Sequence, residues 1–227
     1  MEAARIAADA HHLQALDVPV GRLIRRRIVG ANLCVYAMLA PMPKPIRLEG
    51  PRLTLSPFHR RDMQAFTRLN RRSRSRFVHP PTTPARFERY LERAKAPDIF
   101  RLALRRNEDG ALLGSIELSQ ISRGILQSGY LGYQIGSEYE GQGYMSEAMR
   151  LVLDFAFGPV KLHRVEANIQ PTNAPSIRLV KRMGFRNEGT AIRYLKIHGA
   201  WQDHQRWAML AEEWRVKRRR TGRSRPR

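Results

Sequence analysis

Cysteine is almost missing from this sequence: Cys34 is the only one in 227 residues. One thiol permits no internal disulfide and no cysteine metal cluster, and it points to a reducing, cytoplasmic setting. The seven histidines form no H-E-x-x-H pair, so no metal site is expected. Acidic residues are scarce, 20 against 41 lysines and arginines. The most apolar stretch, Ile28 to Ala40, contains Asn32 and is too short to span a bilayer, so no membrane role is expected. It lies too far from the start for a signal peptide, and the PMPKPI that follows has no small-residue cleavage site. Two familiar phosphate loops are absent as well. G-x-x-x-x-G-K-[ST] does not occur, and Ser146 takes the place of the third glycine of G-x-G-x-x-G, which leaves nucleotide-triphosphate and nicotinamide roles without support.

What is present is positive charge. A formal net charge of +21 implies affinity for polyanions, with nucleic acid or the ribosome as the obvious partners. A hydrophobic content of 42% is enough for a core. The length suits one domain with extensions. Residues 1–44 read as an N-terminal extension or a misassigned start, closed by Pro41, Pro43 and Pro45. Residues 46–214 read as the domain. RVKRRRTGRSRPR after Trp214 (215–227) reads as a disordered basic tail. A second basic run, RRSRSRFVHPP (71–81), carries Arg71, Arg72, Arg74 and Arg76 and reads as a solvated loop or a cationic groove wall.

Periodicity places the elements. Arg52–Pro57 alternates as a strand, and His59–Leu69 and Pro84–Ala94 follow as helices. Ile99–Leu104 and Leu112–Ser119 are strands joined by an Asn107–Gly110 hairpin turn. Tyr130–Ile135 is the next strand, and a helix begins near Tyr144. His163–Ile169 is a strand, Ser176–Met183 a helix capped by Gly184, and Arg193–Ile197 with His204–Leu210 a last hairpin. The fold class is therefore α/β (α+β), a mixed central sheet of about six to seven strands with helices on both faces.

The stretch from Tyr130 to Met149 organises the chain: a strand, a glycine-rich turn over Gly136–Gly143, and a helix start. Gly141 and Gly143 let the backbone approach a ligand closely. The free N–H groups of the helix's first turn point into the same space, with the helix dipole behind them, which is an anion site suited to a phosphate or pyrophosphate.

The element order, this G-x-G helix start, and N-x-x-S followed by M-G-F resemble the Gcn5-related N-acetyltransferases, and within them the ribosomal-protein alanine N-acetyltransferases. The resemblance is carried by YLGYQIG (130–136), EGQGYMSEA (140–148), HRVEANIQPTNAPS (163–176), KRMGF (181–185), NEGTA (187–191) and YLKIHGAWQDH (194–204). It implies a sheet that splays after its fourth strand, and acetyl-coenzyme A as the acyl donor, with no metal. The backbone from Glu138 through Gly141, Gln142, Gly143 and Tyr144 to Met145 would hold the pyrophosphate. Gln134, Ile135 and Gly136 would run beside the pantetheine arm, which Asn173 would hydrogen-bond. A free N–H at the splay would polarise the thioester carbonyl.

Such a reaction needs an α-amine, pKa near ~8, to lose a proton before attack. Glu117 and Glu166 are the candidate bases, unless water relays the proton. Many relatives carry a tyrosine seven residues after the asparagine as the acid, whereas Val180 stands there in this sequence, and Ser176 is the nearest hydroxyl. Glu138 also departs from the usual Gln or Arg, so its carboxylate should turn away from the pyrophosphate. Lys181 and Arg182 are candidates for the coenzyme's 3′-phosphate. Asn168, Tyr194 and Trp201 are the candidate acceptor-binding residues; Asp203–His204 lacks a nucleophile and reads as structural or substrate-binding. The expected activity is acetyl transfer to a primary amine, first of all the N-terminal alanine of a ribosomal protein. The alternatives are a small amine (an amino acid, polyamine or aminoglycoside) or a non-enzymatic ribosome- or RNA-binding role on the same fold.

Overall fold

The computed structural model describes residues 46–73 and 81–223, with side chains to residue 220. The extension before residue 46, the Arg74, Arg76 and Phe77 part of the basic loop, and residues 224–227 lie outside the described residues. One sheet runs through the domain in the order β1 (Leu48–Glu49), β2 (Leu53–Pro57), β3 (Phe100–Arg106), β4 (Leu112–Ser122), β5 (Ser128–Ile135), β6 (Arg164–Ile169), β8 (Ala200–Leu210), β7 (Arg186–Ile197). All neighbours are antiparallel except β5 and β6, which run parallel because helix α3 (Tyr144–Phe157) carries the chain back between them.

The helices divide between the two faces of the sheet. α1 (Met63–Arg72) and α2 (Pro84–Arg93) pack over one face, where Phe58, Phe66 and Phe87 form a small aromatic core with Tyr90 against it. Phe58 and Phe66 have ring centroids 4.6 Å apart. α3 and α4 (Ala174–Met183) bury their apolar sides on the other face. There Met149, Val152, Leu153, Val180 and Met183 pack against Leu131, Val165 and Met209. Fourteen residues of α3 suffice for this because its apolar positions recur at helical spacing, as the sequence suggests.

Caps set the helix ends. Thr83 accepts from Arg86 N at 3.3 Å, with Pro84 in the first turn of α2. Asn173 does the same for α4 by accepting from Ser176 N, and Gly184 ends that helix at φ +88°.

Four elements differ from the sequence reading. β1 is an extra short edge strand. β7 and β8 are much longer than the expected hairpin arms; among the described residues β7 is an exposed edge strand paired with β8. Register shifts after Asn187 and Ala191 break its alternation, so Arg186–Ile192 reads as a loop in sequence. The disordered reading after Trp214 is corrected through residue 223: Ala211–Arg223 is helix α5. It is anchored by Trp214, 3% exposed, whose Nε1 donates to Asp154 Oδ1 at 2.8 Å, and by the Arg218–Asp154 ion pair at 3.0 Å.

Candidate active site

The site begins with a gap in the sheet. β5 and β6 pair only at Ser128–Arg164, Gly129–Val165 and Tyr130–Glu166. β5 then stays with β4 as far as Ile135, and β6 stays with β8 as far as Ile169. Residues 131–135 and 167–169 therefore part from each other, leaving backbone groups on facing edges without a strand to bind. This is the splay expected after the fourth strand; the short β1 makes it the fifth in the structure.

Register sorts the side chains to either side of that gap. Leu131, Tyr133 and Ile135 share the α3/α4 face with Val165, Ala167 and Ile169. Tyr130, Gly132 and Gln134 share the α1/α2 face with Glu117, Glu166, Asn168 and Arg206.

On the α3/α4 side, the turn before α3 has the backbone shape that the sequence reading expects of an anion cradle. Gly141 and Gly143 hold φ of +74° and +83°, and Gly143 caps α3 with no side-chain hydrogen bond. The first-turn N–H groups of Tyr144 and Met145 are thus uncovered by any cap side chain. A Cβ at Gly141 would stand in open space, so that glycine serves backbone conformation and access. The cradle is braced from behind. Arg52 donates to Gln142 O at 3.0 Å and to Glu147 Oε2 at 2.9 Å, while Glu147 Oε1 accepts from Arg52 N at 2.8 Å and Leu53 N at 3.3 Å. Gln142 Nε2 closes the turn onto Glu138 O at 2.9 Å. The Glu138 carboxylate faces Arg72 of α1 at 3.7 Å, and Gln134 Nε2 donates to Asn70 Oδ1. The Arg52–Glu147 brace escapes sequence reading, although a glutamate in a helix's first turn beside a glycine loop is a usable signal.

The start of α4 faces the same side. Asn173 Oδ1 is committed to capping Ser176 N at 3.2 Å, which leaves its amide NH2 to donate elsewhere. Val180 is fully buried in the core and carries no proton to give. The Tyr133 hydroxyl is buried without a hydrogen-bond partner, and burial pushes its pKa up to about 12 against a smaller opposing effect of the Ser176 hydroxyl. Lys181 lies with Nζ 5.8 Å from the centre of the Trp207 ring, and Arg182 is exposed.

On the α1/α2 side, charged and polar groups converge on the gap. Glu117 Oε2 accepts from Arg101 Nε at 2.8 Å, and the rest of its side chain lies against Gly132 on β5. Arg101 also stacks 3.8 Å over the Tyr90 ring and donates to Tyr90 O at 2.8 Å. Glu166, 7% exposed, is gripped by Arg164 Nε and by an Arg206 NH2 group, each at 2.8 Å. Burial opposes its ionisation, but hydrogen bonds from Arg164 and Arg206 override that and hold its carboxyl below the usual range. The Tyr130 phenol sits beside Tyr194 and Glu166; burial first, then these neighbours, push it up to about 12. Asn168 Oδ1 and Arg206 Nε, on register partners, are both buried without partners.

Sequence reading missed Tyr130, Arg101 and Arg206, since nothing in spacing shows that three separated strands bring them together. Tyr194 stands by the gap. Trp201, 60% exposed, lies toward the tip of the β7–β8 hairpin opposite Lys196, away from the cluster. Asp203 accepts from Arg193 N at 2.8 Å, and His204 is buried with Nδ1 3.0 Å from Gln202 O, so both bind backbone rather than each other. Among the described residues no group of histidine, cysteine or carboxylate side chains is placed to hold a metal ion, and no helix is long and apolar enough to cross a membrane.

Comparison with known proteins matches residues 52–186 to the acetyltransferase (GNAT) domain. The ribosomal protein uS5-alanine N-acetyltransferase of Escherichia coli is 31% identical over 193 residues, which cover 79% of this chain and 98% of that protein. A probable N-acetyltransferase of Bacillus subtilis, YjcK, is 41% identical over 125 residues, 55% of this chain and 69% of that protein. Among solved structures, Mycobacterium smegmatis RimJ in complex with CoA-disulfide superposes with a TM-score of 0.69 at 28% identity, covering 75% of this chain and 90% of that one.

Proposed function

The chain belongs to the acetyltransferase (GNAT) domain family and is an acetyl-coenzyme A-dependent N-acetyltransferase, and on that premise we propose that its acceptor is the N-terminal α-amine of a ribosomal protein, alanine first. The observation that carries the reading is the gap between β5 and β6, with a phosphate-type cradle on one side and a carboxylate-bearing polar cluster on the other. A thioester reached from the α3/α4 side and an amine reached from the α1/α2 side meet only at that gap.

The coenzyme supplies an activated acetyl group. Backbone N–H groups from Glu138 to Met145 hold its pyrophosphate, and Asn173 and the edge of β5 at Gln134–Gly136 hold its pantetheine arm. Glu117 takes the proton from the incoming ammonium. Its carboxylate faces the gap across Gly132, whereas Glu166 is held ionised by two arginines and is the poorer proton acceptor. An N–H on the splayed edge of β5 receives the developing oxyanion. Ser176 donates to the departing thiolate, helped by the partial positive charge at the start of α4. Asn168 and Tyr194 hold the acceptor's first residue. The arginines beside that cluster suit a peptide with a single positive charge better than a polyamine.

Thiol release from acetyl-coenzyme A tests this, with one peptide copying a small-subunit ribosomal protein that begins with alanine and another bearing the same sequence with a blocked amine. Turnover with the free amine alone is the expected result. Turnover with spermidine or free amino acids but no peptide overturns the acceptor assignment.

A further inference from the structure

We infer that Arg101 and Gly132 are positioning residues that make Oε1 of Glu117 the atom receiving the acceptor's proton. The inference rests on the acetyl-transfer reading above and deepens its proton-acceptor step. Arg101, Glu117 and Gly132 stand opposite one another on β3, β4 and β5, so they form one row across the sheet. Gly132 lies two residues beyond Tyr130, where β5 has already parted from β6. The row therefore ends at the gap.

The two carboxylate oxygens of Glu117 are unlike. Oε2 accepts from Arg101 Nε at 2.8 Å. A guanidinium facing a carboxylate often makes two parallel hydrogen bonds, one to each oxygen. Here another arm of the fork is spent elsewhere: Arg101 Nη1 donates to Tyr90 O at 2.8 Å, and the guanidinium lies 3.8 Å over the Tyr90 ring. These three contacts hold Arg101, whose side chain is 11% exposed. Among the described residues no donor reaches Oε1 of Glu117. That oxygen lies against Gly132, where a Cβ would stand 3.4 Å from it and 3.1 Å from Glu117 Cγ. Any larger residue there would shift the carboxylate. A pair built for stability alone gains most by engaging both oxygens, so the open one calls for another use.

In the step itself, Oε1 takes one proton from the ammonium. The freed lone pair forms the C–N bond as the C–S bond breaks. A second proton leaves the nitrogen as the amide forms and ends on the thiolate, and Glu117 returns its proton to solvent. Arg101 exchanges no proton. A lysine in its place would keep the charge but lose the fork and the flat face that stacks on Tyr90.

Double-mutant cycles on the full chain test this. They use whichever amine the protein turns over, so failure of the ribosomal-peptide assignment leaves the test intact. Arg101→Lys is expected to lower kcat about tenfold, the value of one hydrogen bond to a charged group, with the KM for acetyl-coenzyme A nearly unchanged. Gly132→Ala is expected to lower kcat by a similar factor. In the Glu117→Gln background neither change lowers kcat further, because the carboxylate they orient is gone. A residue that merely supported the fold would lower kcat equally in both backgrounds. Melting curves identify a variant that fails to fold, and the other variant then decides. Arg101→Lys with wild-type kcat overturns the inference, and so do losses that multiply in the double variants. Wild-type kcat in Glu117→Gln overturns the base assignment and the inference with it.

Discussion

The two candidate bases are chemically unlike, although both are strand glutamates facing the same side. Glu117 has one arginine, Arg101, on one oxygen. Glu166 has an arginine on each oxygen and is nearly sealed from water. Glu117→Gln should therefore lower kcat by about 10²–10³-fold, with the protein's melting temperature little changed. Glu166→Gln should act on stability instead, costing about 1–3 kcal/mol in denaturant titration because Arg164 and Arg206 lose their shared acceptor. Equal kinetic losses in the two variants would refute this division. Glu188 adds a pH dependence. Hydrogen bonds from Arg164 and Arg186 hold its carboxyl at about 2, below its ordinary value of 4.5. Folding thus favours its ionised form. Its contribution is complete above the ordinary value and is lost as pH falls toward about 2. Thermal melts of Glu188→Gln should differ from the wild type at pH 7 and converge with it near pH 2.

At the scale of elements, the cradle depends on backbone shape and on its brace. At Gly143 a Cβ would be forced into a left-handed conformation and would stand 3.3 Å from the Arg52 guanidinium. Gly143→Ala is expected to cost about 1–3 kcal/mol in stability and to weaken coenzyme A binding, read by calorimetry. Unchanged binding would place the pyrophosphate elsewhere. Helix α5 makes a second case. Trp214→Ala removes a buried ring and the indole donor to Asp154, and should cost about 3 kcal/mol or more. The sequence reading treated the segment after Trp214 as tail on account of its charge. The structure carries it on as helix because the buried Trp214, the Arg218–Asp154 pair and the Arg186–Glu213 pair tie its first turns to α3 and β7.

At the scale of the whole molecule, the sheet acts as a partition with one opening, and charge surrounds it. The net charge of +21 is carried in part by α5, with Arg215, Lys217, Arg218, Arg219 and Arg220. If this charge brings the enzyme to an acceptor borne on RNA, binding to ribosomal RNA should weaken steeply as salt rises from 50 to 200 mM, following the number of phosphates neutralised. Coenzyme binding, if the proposed backbone N–H cradle holds the pyrophosphate, should weaken far less. Parallel salt titrations check this, and equal salt slopes would remove the basis for an RNA-directed role.

The sequence by itself determined most strands and helices of the domain, the glycine turn before α3, the Gly184 cap of α4, and the family. These are local matters: alternation, helical spacing, and glycine or asparagine where the backbone demands it. Only the tertiary structure decided which side of the sheet each residue serves. Periodicity says that Tyr130 and Tyr133 point to opposite faces, but not that one joins Glu166 while the other packs against the α3/α4 core. Nor does it say that β6 leaves β5 after three pairs to follow β8. Strand order, register and the grip of Arg206 on Glu166 depend on contacts between residues far apart in the chain, which no local pattern encodes.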